Sequence, residues 1–402
     1  MKIAIIGGGA SGMAAALWAA KNGNEVLLLE RQARVGRKLL ATGNGRCNLS
    51  NTKLDFSNYH GEDPDFAKFA LDSYPVEDTL AWFDSLGLYT ITEDSGRVYP
   101  YSDQANSVVD VLRFALQRAN VEVLTDFEVT KARKTADGFL VESREQQITC
   151  DKLIIACGGL AGTKLGGTMS GYQLLRSFGH HATKLRPALV QIKSDWQGCA
   201  SLKGVRANCH AAIYHNDTLY SQSIGELHFT QYGLSGPVIF EISRDVCQGS
   251  GDWVCKLDFI PDISADKLEN ILRCRRNKDL LVEDFLTGIL HNRLGRILTQ
   301  AAQLRSNLPS SELTDRDIQE LCRVMKGFEV SLTETLGMDS AQVTAGGILT
   351  AEFNPETMES RLVSGLYACG EVLDIDGDCG GFNLQWAWSS GAVAGVNAGG
   401  NV

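Results

Sequence analysis

Met1-Lys2-Ile3-Ala4-Ile5-Ile6-Gly7-Gly8-Gly9-Ala10-Ser11-Gly12 begins the chain, and Glu25-Val26-Leu27-Leu28-Leu29-Glu30 closes its first supersecondary unit. The first six residues read as a buried strand, and Gly7, Gly9 and Gly12 supply G-x-G-x-x-G at the turn into a helix over 10–21. Each glycine has a physical task. Gly7 permits the tight turn, Gly9 lets backbone approach a pyrophosphate, and Gly12 lets the helix pack closely on the strand. The helix start at Ala10 and Ser11 offers free N–H groups and the positive end of a dipole to phosphate, while Glu30 accepts hydrogen bonds from a ribose. Asn22-Gly23 stops the helix, and the second apolar run delivers the acid at the expected spacing. The stretch therefore predicts a Rossmann-like α/β unit that binds a dinucleotide.

With 402 residues the chain exceeds what one hydrophobic core usually organises. An apolar content of 44% and a charged content of 21% are those of an ordinary globular chain. A net charge of -10 opposes general polyanion binding. The eleven cysteines are Cys47, Cys150, Cys157, Cys199, Cys209, Cys247, Cys255, Cys274, Cys322, Cys369 and Cys379, with no C-x-x-C among them. Their odd number and their place in apolar runs read as small buried hydrophobes rather than disulfides or metal ligands. No metal is expected, and a reducing cytoplasm is the expected compartment. The apolar start is too short for a signal peptide, and no run approaches the ~20 residues of a membrane span.

Beyond Glu30 comes a loop over 31–48 rich in glycine and basic residues, then helical patterns near 64–86 and 107–119. A strand over 121–124 precedes two alternating runs, 129–133 and 139–142, which predict a small antiparallel meander. The run 153–157 reads as a parallel strand ending on glycines, and 171–178 as a helix. After Pro187 short strands such as 189–192, 209–214 and 253–259 give the texture of a barrel or sandwich. Residues 264–326 switch to helical periodicity and read as four helices. Between Arg273 and Arg305 seven Lys/Arg face three acids, which is best read as a solvated helix face. The strand-like 328–332 returns to the barrel. The resulting division is 1–186 and 345–402 for a nucleotide domain, 187–263 with 327–344 for a β-barrel-like inserted domain, and 264–326 for a helical insertion within it.

The C-terminal part carries a second motif, Gly365-Leu366-Tyr367-Ala368-Cys369-Gly370-Glu371, followed by Gly377-Asp378-Cys379-Gly380-Gly381-Phe382-Asn383 and a helix from Leu384. A strand ending in Gly-Glu presents one carboxylate to a sugar-alcohol hydroxyl, which suits the ribityl chain of FAD. The later glycines let backbone pass beside a flat ring, and the next helix N-terminus stabilises negative charge on a reduced flavin's N1/C2 edge. NAD would not need this second site, so the two motifs together indicate FAD.

The loop Gly36-Arg37-Lys38-Leu39-Leu40-Ala41-Thr42-Gly43-Asn44-Gly45-Arg46-Cys47-Asn48-Leu49-Ser50-Asn51 resembles the signature of the BaiN/RdsA family of NAD(P)/FAD-dependent oxidoreductases, the YhiN-like flavoproteins. Gly96-Arg97-Val98-Tyr99-Pro100, Phe229 to Pro237, Val343 to Gly347, Gly370 to Asp378 and Gln385 to Gly391 match it as well. The resemblance implies an FAD domain interrupted by a barrel-like domain with a helical insertion. One departure is Gly158-Gly159-Leu160, where family members carry a lysine after the glycines.

Motifs and resemblance together give the expected cofactor contacts: Gly7, Gly9, Ala10, Ser11, Gly12, Glu30, Arg31, Lys38, Thr42, Gly43, Asn44, Arg46, Cys47, Val129, Ala156, Gly158, Gly370, Glu371, Gly381, Phe382, Asn383 and Leu384. Cys47 is the candidate acid opposite a hydride donor, with tight packing of the loop as the equal alternative. Ser235, ahead of Gly236-Pro237, reads chiefly as a helix N-cap and secondarily as an anion contact. Thr344 and Gly346 are expected in the wall of a substrate cleft.

The resemblance implies an FAD-dependent enzyme in which NAD(P)H reduces the flavin and hydride passes from N5 to an unsaturated acceptor, either a small molecule or a uridine in ribosomal RNA. With no second G-x-G-x-x-G in the chain, NAD(P)H is expected only as a transient reductant. An amine oxidase using oxygen, and a non-catalytic FAD-binding interaction protein, stand as alternatives. The oligomeric state stays open.

Overall fold

Strand β1, Lys2–Ile6, lies at the centre of a five-stranded parallel sheet with β2 (Glu25–Leu29), β3 (Glu122–Leu124), β4 (Lys152–Ile155) and β5 (Leu366–Ala368) in the order β5-β4-β1-β2-β3. Ile3 stands beside Val26 on one side and Lys152 on the other, and Leu153 stands beside Leu366. The strands are near-continuous apolar runs because both sheet faces are covered: Ile3, Ala4 and Ile5 have no exposed surface. The computed structural model describes residues 1–244, 246, 251–276 and 280–400. It divides into one unit of Met1–Pro187 with Ala341–Val402 and another of Ala188–Ser340. The architecture is mixed α/β, with a Rossmann-like unit interrupted by a barrel-like one.

Helix α1 (Ala10–Ala20) follows β1, and helix α2 (Phe382–Gly399) follows the C-terminal motif. They pack almost backbone to backbone. A Cβ on Gly391 would lie 2.5 Å from the Ser11 carbonyl oxygen, and one on Gly395 would lie 2.4 Å from that of Ala15. Small residues on both helices, spaced four apart, create this close seam. It draws the beginning and the end of the chain into one core.

The meander has three strands, Lys131–Thr135, Gly138–Glu142 and Gln147–Cys150, the last one missed because a two-residue turn hides its start. The 64–86 pattern is broken into Pro64–Ala67, Lys68–Ser73 and Val76–Leu86, with Pro75 at the N-cap of the last piece. A further small sheet pairs Ser50–Asn51, Arg97–Pro100 and Thr90–Thr92.

The second unit is built on six antiparallel strands: Ile192–Lys193, Gly233–Ser235, Thr218–Phe229, Arg206–His215, Trp253–Asp258 and Phe328–Leu332, in that spatial order. Hydrogen bonds from Thr333 N to Lys193 O (3.0 Å) and from Lys193 N to Glu334 O (2.7 Å) bring the two edges together, so the sheet nearly closes. Alternate residues Cys209, Ala211, Ile213, Cys255 and Leu257 point into its core.

Residues 264–326 hold three α-helices among the described residues, Ala265–Arg275, Asn292–Ala301 and Asp315–Lys326, not the four expected. The missing one is a segment held in turns by Arg275, whose guanidinium donates to the carbonyls of Phe285 and Thr287. The described cysteines are free thiols, most of them buried; Cys274 is exposed, and Cys247 lies outside the described residues.

Candidate functional site

The site begins where β1 ends. Gly7 has φ +114°, and a Cβ there would lie 2.3 Å from the Ala156 carbonyl oxygen, while one on Gly12 would lie 1.8 Å from that of Gly7. Those two glycines are required by packing alone. Gly9 differs, since a Cβ on it would meet no protein atom within 4 Å. Gly9 is also the N-cap of α1 and has no side-chain cap, so the first-turn N–H groups at Ala10, Ser11 and Gly12 face outward over an unhindered backbone.

Glu30 is fixed by two backbone donors, Gly8 N to Oε2 and Gln32 N to Oε1, both 2.7 Å. Phe127 N donates to Glu30 O, which lays the segment carrying the buried Val129 beside the acid. Arg31 donates to Gly166 O at 2.9 Å.

The loop from Thr42 is wound through left-handed backbone at Gly43, Asn44, Gly45 and Cys47, with φ of 56°, 57°, 87° and 62°. Thr42 Oγ1 donates to Leu39 O, and Cys47 N donates to Thr42 O. Cys47 has no exposed surface, and burial pushes its thiol up to about 12 despite a hydrogen bond with Thr42. Arg46 turns away from the loop. Its guanidinium bonds Glu93 (3.0 Å) and Asp103 and lies 3.9 Å from the centre of the Tyr99 ring.

At the C-terminal motif, Gly370 (φ +76°) donates to Ser390 Oγ at 3.0 Å, and a Cβ there would lie 2.5 Å from Ser11 Oγ. The two glycine motifs therefore touch. Glu371 is clamped: Oε1 accepts Thr344 N at 2.8 Å and Oε2 accepts Lys38 Nζ at 2.8 Å. Thr344 Oγ1 in turn accepts Ala161 N at 2.9 Å. The turn at Gly158-Gly159 closes over this group, with a would-be Gly159 Cβ 2.4 Å from Glu371 Oε1, while Gly158 faces open space.

Gly381 (φ +106°) begins α2 without a side-chain cap, leaving the N–H groups of Phe382, Asn383 and Leu384 at a bare helix start. Asn383 holds the preceding loop through Gly377, accepting its N–H at 2.8 Å and donating to its carbonyl at 2.6 Å. Tyr59 supports Phe382 O at 3.1 Å. His60 Nε2 and Asp378 Oδ1, 2.7 Å apart, pin the other side of the loop. Sequence reasoning missed that pair because it joins residues far apart in the chain and belongs to no motif.

These residues fit FAD. Two bare helix starts and a clamped acid would provide for phosphates, ring and ribityl chain. Asn48 Oδ1, buried near Gly381 with no partner among the described residues, is an acceptor that a ligand N–H would satisfy.

Gly346 (φ +90°) is a packing glycine, its Cβ position 2.4 Å from Lys184 O. Ser235 lies in the second unit as the buried end of strand Gly233–Ser235. The N-cap of helix Pro237–Ile242 is Gly236 at φ +96°, so the capping assigned to Ser235 is corrected: its backbone is already committed to the ladder with His228. In the helical insertion, Arg276 bonds Leu313 O and Asp315, Arg296 bonds Asp284, and Arg293 bonds the carbonyls of Ser201 and Lys203. Arg276 and Arg296 hold the insertion together, and Arg293 ties it to the 201–203 turn. Among the described residues no three His, Cys, Asp or Glu side chains gather as metal ligands, and no helix is long and apolar enough to cross a membrane.

Residues 1–397 match the family described as the HI0933-like protein Rossmann domain. The chain belongs to this BaiN/RdsA family of FAD-dependent oxidoreductases. A family member from Clostridium scindens, 3-dehydro-bile acid delta(4,6)-reductase, is 41% identical over 98% of this chain and 98% of its own length. Ribosomal RNA dihydrouridine synthase of Escherichia coli is 33% identical over 96% of this chain and 95% of its own. Among solved structures, the open conformation of a flavocytochrome c3 fumarate reductase aligns with a TM-score of 0.50 at 15% identity, covering 99% of this chain and 78% of the other, a likeness of fold.

Proposed function

We propose that the chain reduces a carbon–carbon double bond conjugated to a carbonyl in a small acceptor, with NAD(P)H visiting transiently as reductant. The observation carrying this reading is the meeting of both glycine motifs around Glu371, which Lys38 and the Thr344 N–H hold in place. The first turn of α1 would hold pyrophosphate, Glu30 the adenosine ribose and Glu371 the ribityl hydroxyls, and the bare start of α2 would stabilise negative charge on a reduced ring. Bound FAD supplies hydride from N5. Lys38 keeps Glu371 aimed, and the Thr42–Cys47 loop would bring backbone rather than bulky side chains to the ring. Cys47, buried with its thiol near 12, acts in this reading as loop packing and not as acid. The 41% identity to a reductase of an unsaturated bile acid supports a small enone-type acceptor. The five-segment division into cofactor domain, barrel and helical insertion is part of the same proposal.

A ribosomal uridine is the second reading, favoured by the dihydrouridine synthase relative. Against it stand the net charge of -10 and the internal engagement of Arg275, Arg276 and Arg296. The test is anaerobic. The FAD-loaded protein should be bleached by NADH or NADPH and recover its colour with a conjugated enone. Bleaching by a small amine instead, or recovery with unmodified ribosomal RNA alone, would overturn the reading.

A further inference from the structure

Reducing a conjugated C=C takes a proton as well as a hydride, because hydride on the β-carbon leaves an enolate that must be protonated. The thiol and cations that the sequence puts at the flavin loop do not supply it. Cys47 is sealed in the core with its thiol pushed up to about 12, Lys38 is committed to Glu371, and the Arg46 guanidinium bonds Glu93 and Asp103.

A histidine–aspartate pair lies at the loop 377–381, which leads directly into the bare start of α2. The short strand Tyr59–His60 pairs antiparallel with Asp376–Gly377, placing His60 opposite Asp376 and Tyr59 opposite Gly377. Successive residues of a strand point to opposite sides. Tyr59 turns inward, where it is buried and donates its hydroxyl to Phe382 O at 3.1 Å. His60 turns the other way, and its side chain stays 33% exposed. Its Nε2 donates to Asp378 Oδ1 at 2.7 Å. Asp378 is itself fixed: its N–H donates to Asn58 O at 2.9 Å, and its Oδ2 accepts Asn58 Nδ2 at 3.1 Å. The carboxylate therefore orients the ring and leaves Nδ1 as the nitrogen to meet a reactant. Packing does not account for the pair. A solvent-accessible ion pair is worth about 1 kcal/mol at most, and the bonds of Tyr59 and Asn383 already close the loop.

We propose that His60, oriented by Asp378, is the acid of the reduction. As hydride arrives at the β-carbon of the acceptor, the Nδ1–H bond breaks and its proton passes to the α-carbon; the C=C gains one hydride and one proton, imidazolium becomes imidazole, and water returns the proton to the exposed ring. The inference rests on the reductase reading above and adds the proton donor to it.

The experiment compares the FAD-loaded protein with His60→Gln and Asp378→Asn. The flavin is photoreduced without nicotinamide, and its anaerobic reoxidation is followed with cyclohexenone, which needs a proton, and with ferricyanide, which takes electrons singly and needs no acid. Losing the acid should slow reoxidation by cyclohexenone about hundredfold or more in His60→Gln, with a smaller loss in Asp378→Asn, which keeps the imidazole. FAD content and reoxidation by ferricyanide should stay within about twofold of wild type in both. In oxidised protein carrying isotope-labelled histidine, the ring signals of His60, identified by their absence from His60→Gln, should shift on saturation with cyclohexenone. A wild-type rate with cyclohexenone in His60→Gln, or ring signals that do not move, overturns the assignment and leaves the reductase reading intact. An equal loss with ferricyanide, or loss of FAD, makes the pair a strut of the loop and overturns it as well. A wild-type protein that no enone reoxidises overturns the reductase reading itself.

Discussion

Replacing Gly391 by alanine tests whether the α1–α2 seam needs backbone contact. In an open helix the change would stabilise by about 1 kcal/mol, because alanine is the better helix former. Here the new Cβ would lie 2.5 Å from Ser11 O and 3.1 Å from Ala14 Cβ. Relief to ordinary contact needs the helices to part by roughly 1 Å, and a gap of that size forfeits a quarter to a half of each dispersion contact along the seam. Overpacking of this kind costs about 1–3 kcal/mol, so the propensity gain is cancelled and the net effect is a loss of up to about 2 kcal/mol. At about 2–4 °C per kcal/mol for a unit of this size, the melting temperature should fall by up to roughly 8 °C. Ser11 also sits in the first turn assigned to the pyrophosphate, so FAD affinity should fall with it. Gly399→Ala is the internal comparison: its Cβ would meet Asn24 Nδ2 at 3.1 Å and Ala19 O at 3.3 Å, tight contacts in place of the 2.5 Å overlap, so its loss should be the smaller of the two. Thermal melts of both variants with and without added FAD give the answer. A Gly391→Ala protein that melts above wild type by the full helix-propensity gain and binds FAD equally tightly would refute the argument from backbone proximity.

Two further outcomes follow from burial. Cys47→Ala should keep FAD and lose no more than about twofold in kcat, at a stability cost of about 1 kcal/mol for the small cavity; a hundredfold loss in kcat with FAD retained would assign proton transfer to the thiol. His180 is buried on Phe353, with Nδ1 2.8 Å from Glu352 Oε2 and Nε2 2.9 Å from Ser360 Oγ. Burial depresses its pKa, and the bond and charge of Glu352 offset this only in part. The unfolded chain, titrating near 6.5, therefore takes up the proton first, and stability should decline as pH falls below about 6.5 toward the depressed folded value. Burial raises the Glu352 carboxyl, but bonds from His181 N and both imidazoles outweigh it and hold the group below its usual range, so its contribution is lost at still lower pH. Chemical denaturation between pH 8 and 5 should show a shallower decline for His180→Gln, and an unchanged slope would count against the assignment.

The nucleotide unit was legible because its signals are local: β1, the three glycines, the helix stop and Glu30 lie within one βαβ unit. The Gly370-Glu371 motif was legible for the same reason. What escaped was pairing across the chain. Lys38 was expected at the cofactor, and its salt bridge to Glu371 joins residues 333 apart. Arg46 was expected among the cofactor contacts, and its pairing with Glu93 and Asp103 joins residues 47 and 57 apart. The Ser235 cap failed by one residue because Gly236 makes the positive-φ step into the helix, and one of the four helices expected over 264–326 is absent among the described residues, where Arg275 holds Phe285 O and Thr287 O in turns. Periodicity reports which side of an element is apolar. It does not report which carbonyl a distant arginine will hold.

That division also bears on how one frame serves unlike acceptors. Gly7, Gly12, Gly159 and Gly381 face backbone or the Glu371 carboxylate at 1.8–2.4 Å, so those positions admit no side chain whatever the substrate. Two relatives that match nearly the whole chain carry names with very different acceptors, a bile acid and a ribosomal RNA. Choice of acceptor then has to reside in side chains that the cofactor frame leaves unconstrained. Gly7 and Gly12 lie outside that freedom, since any substitution there should abolish the frame for every acceptor alike.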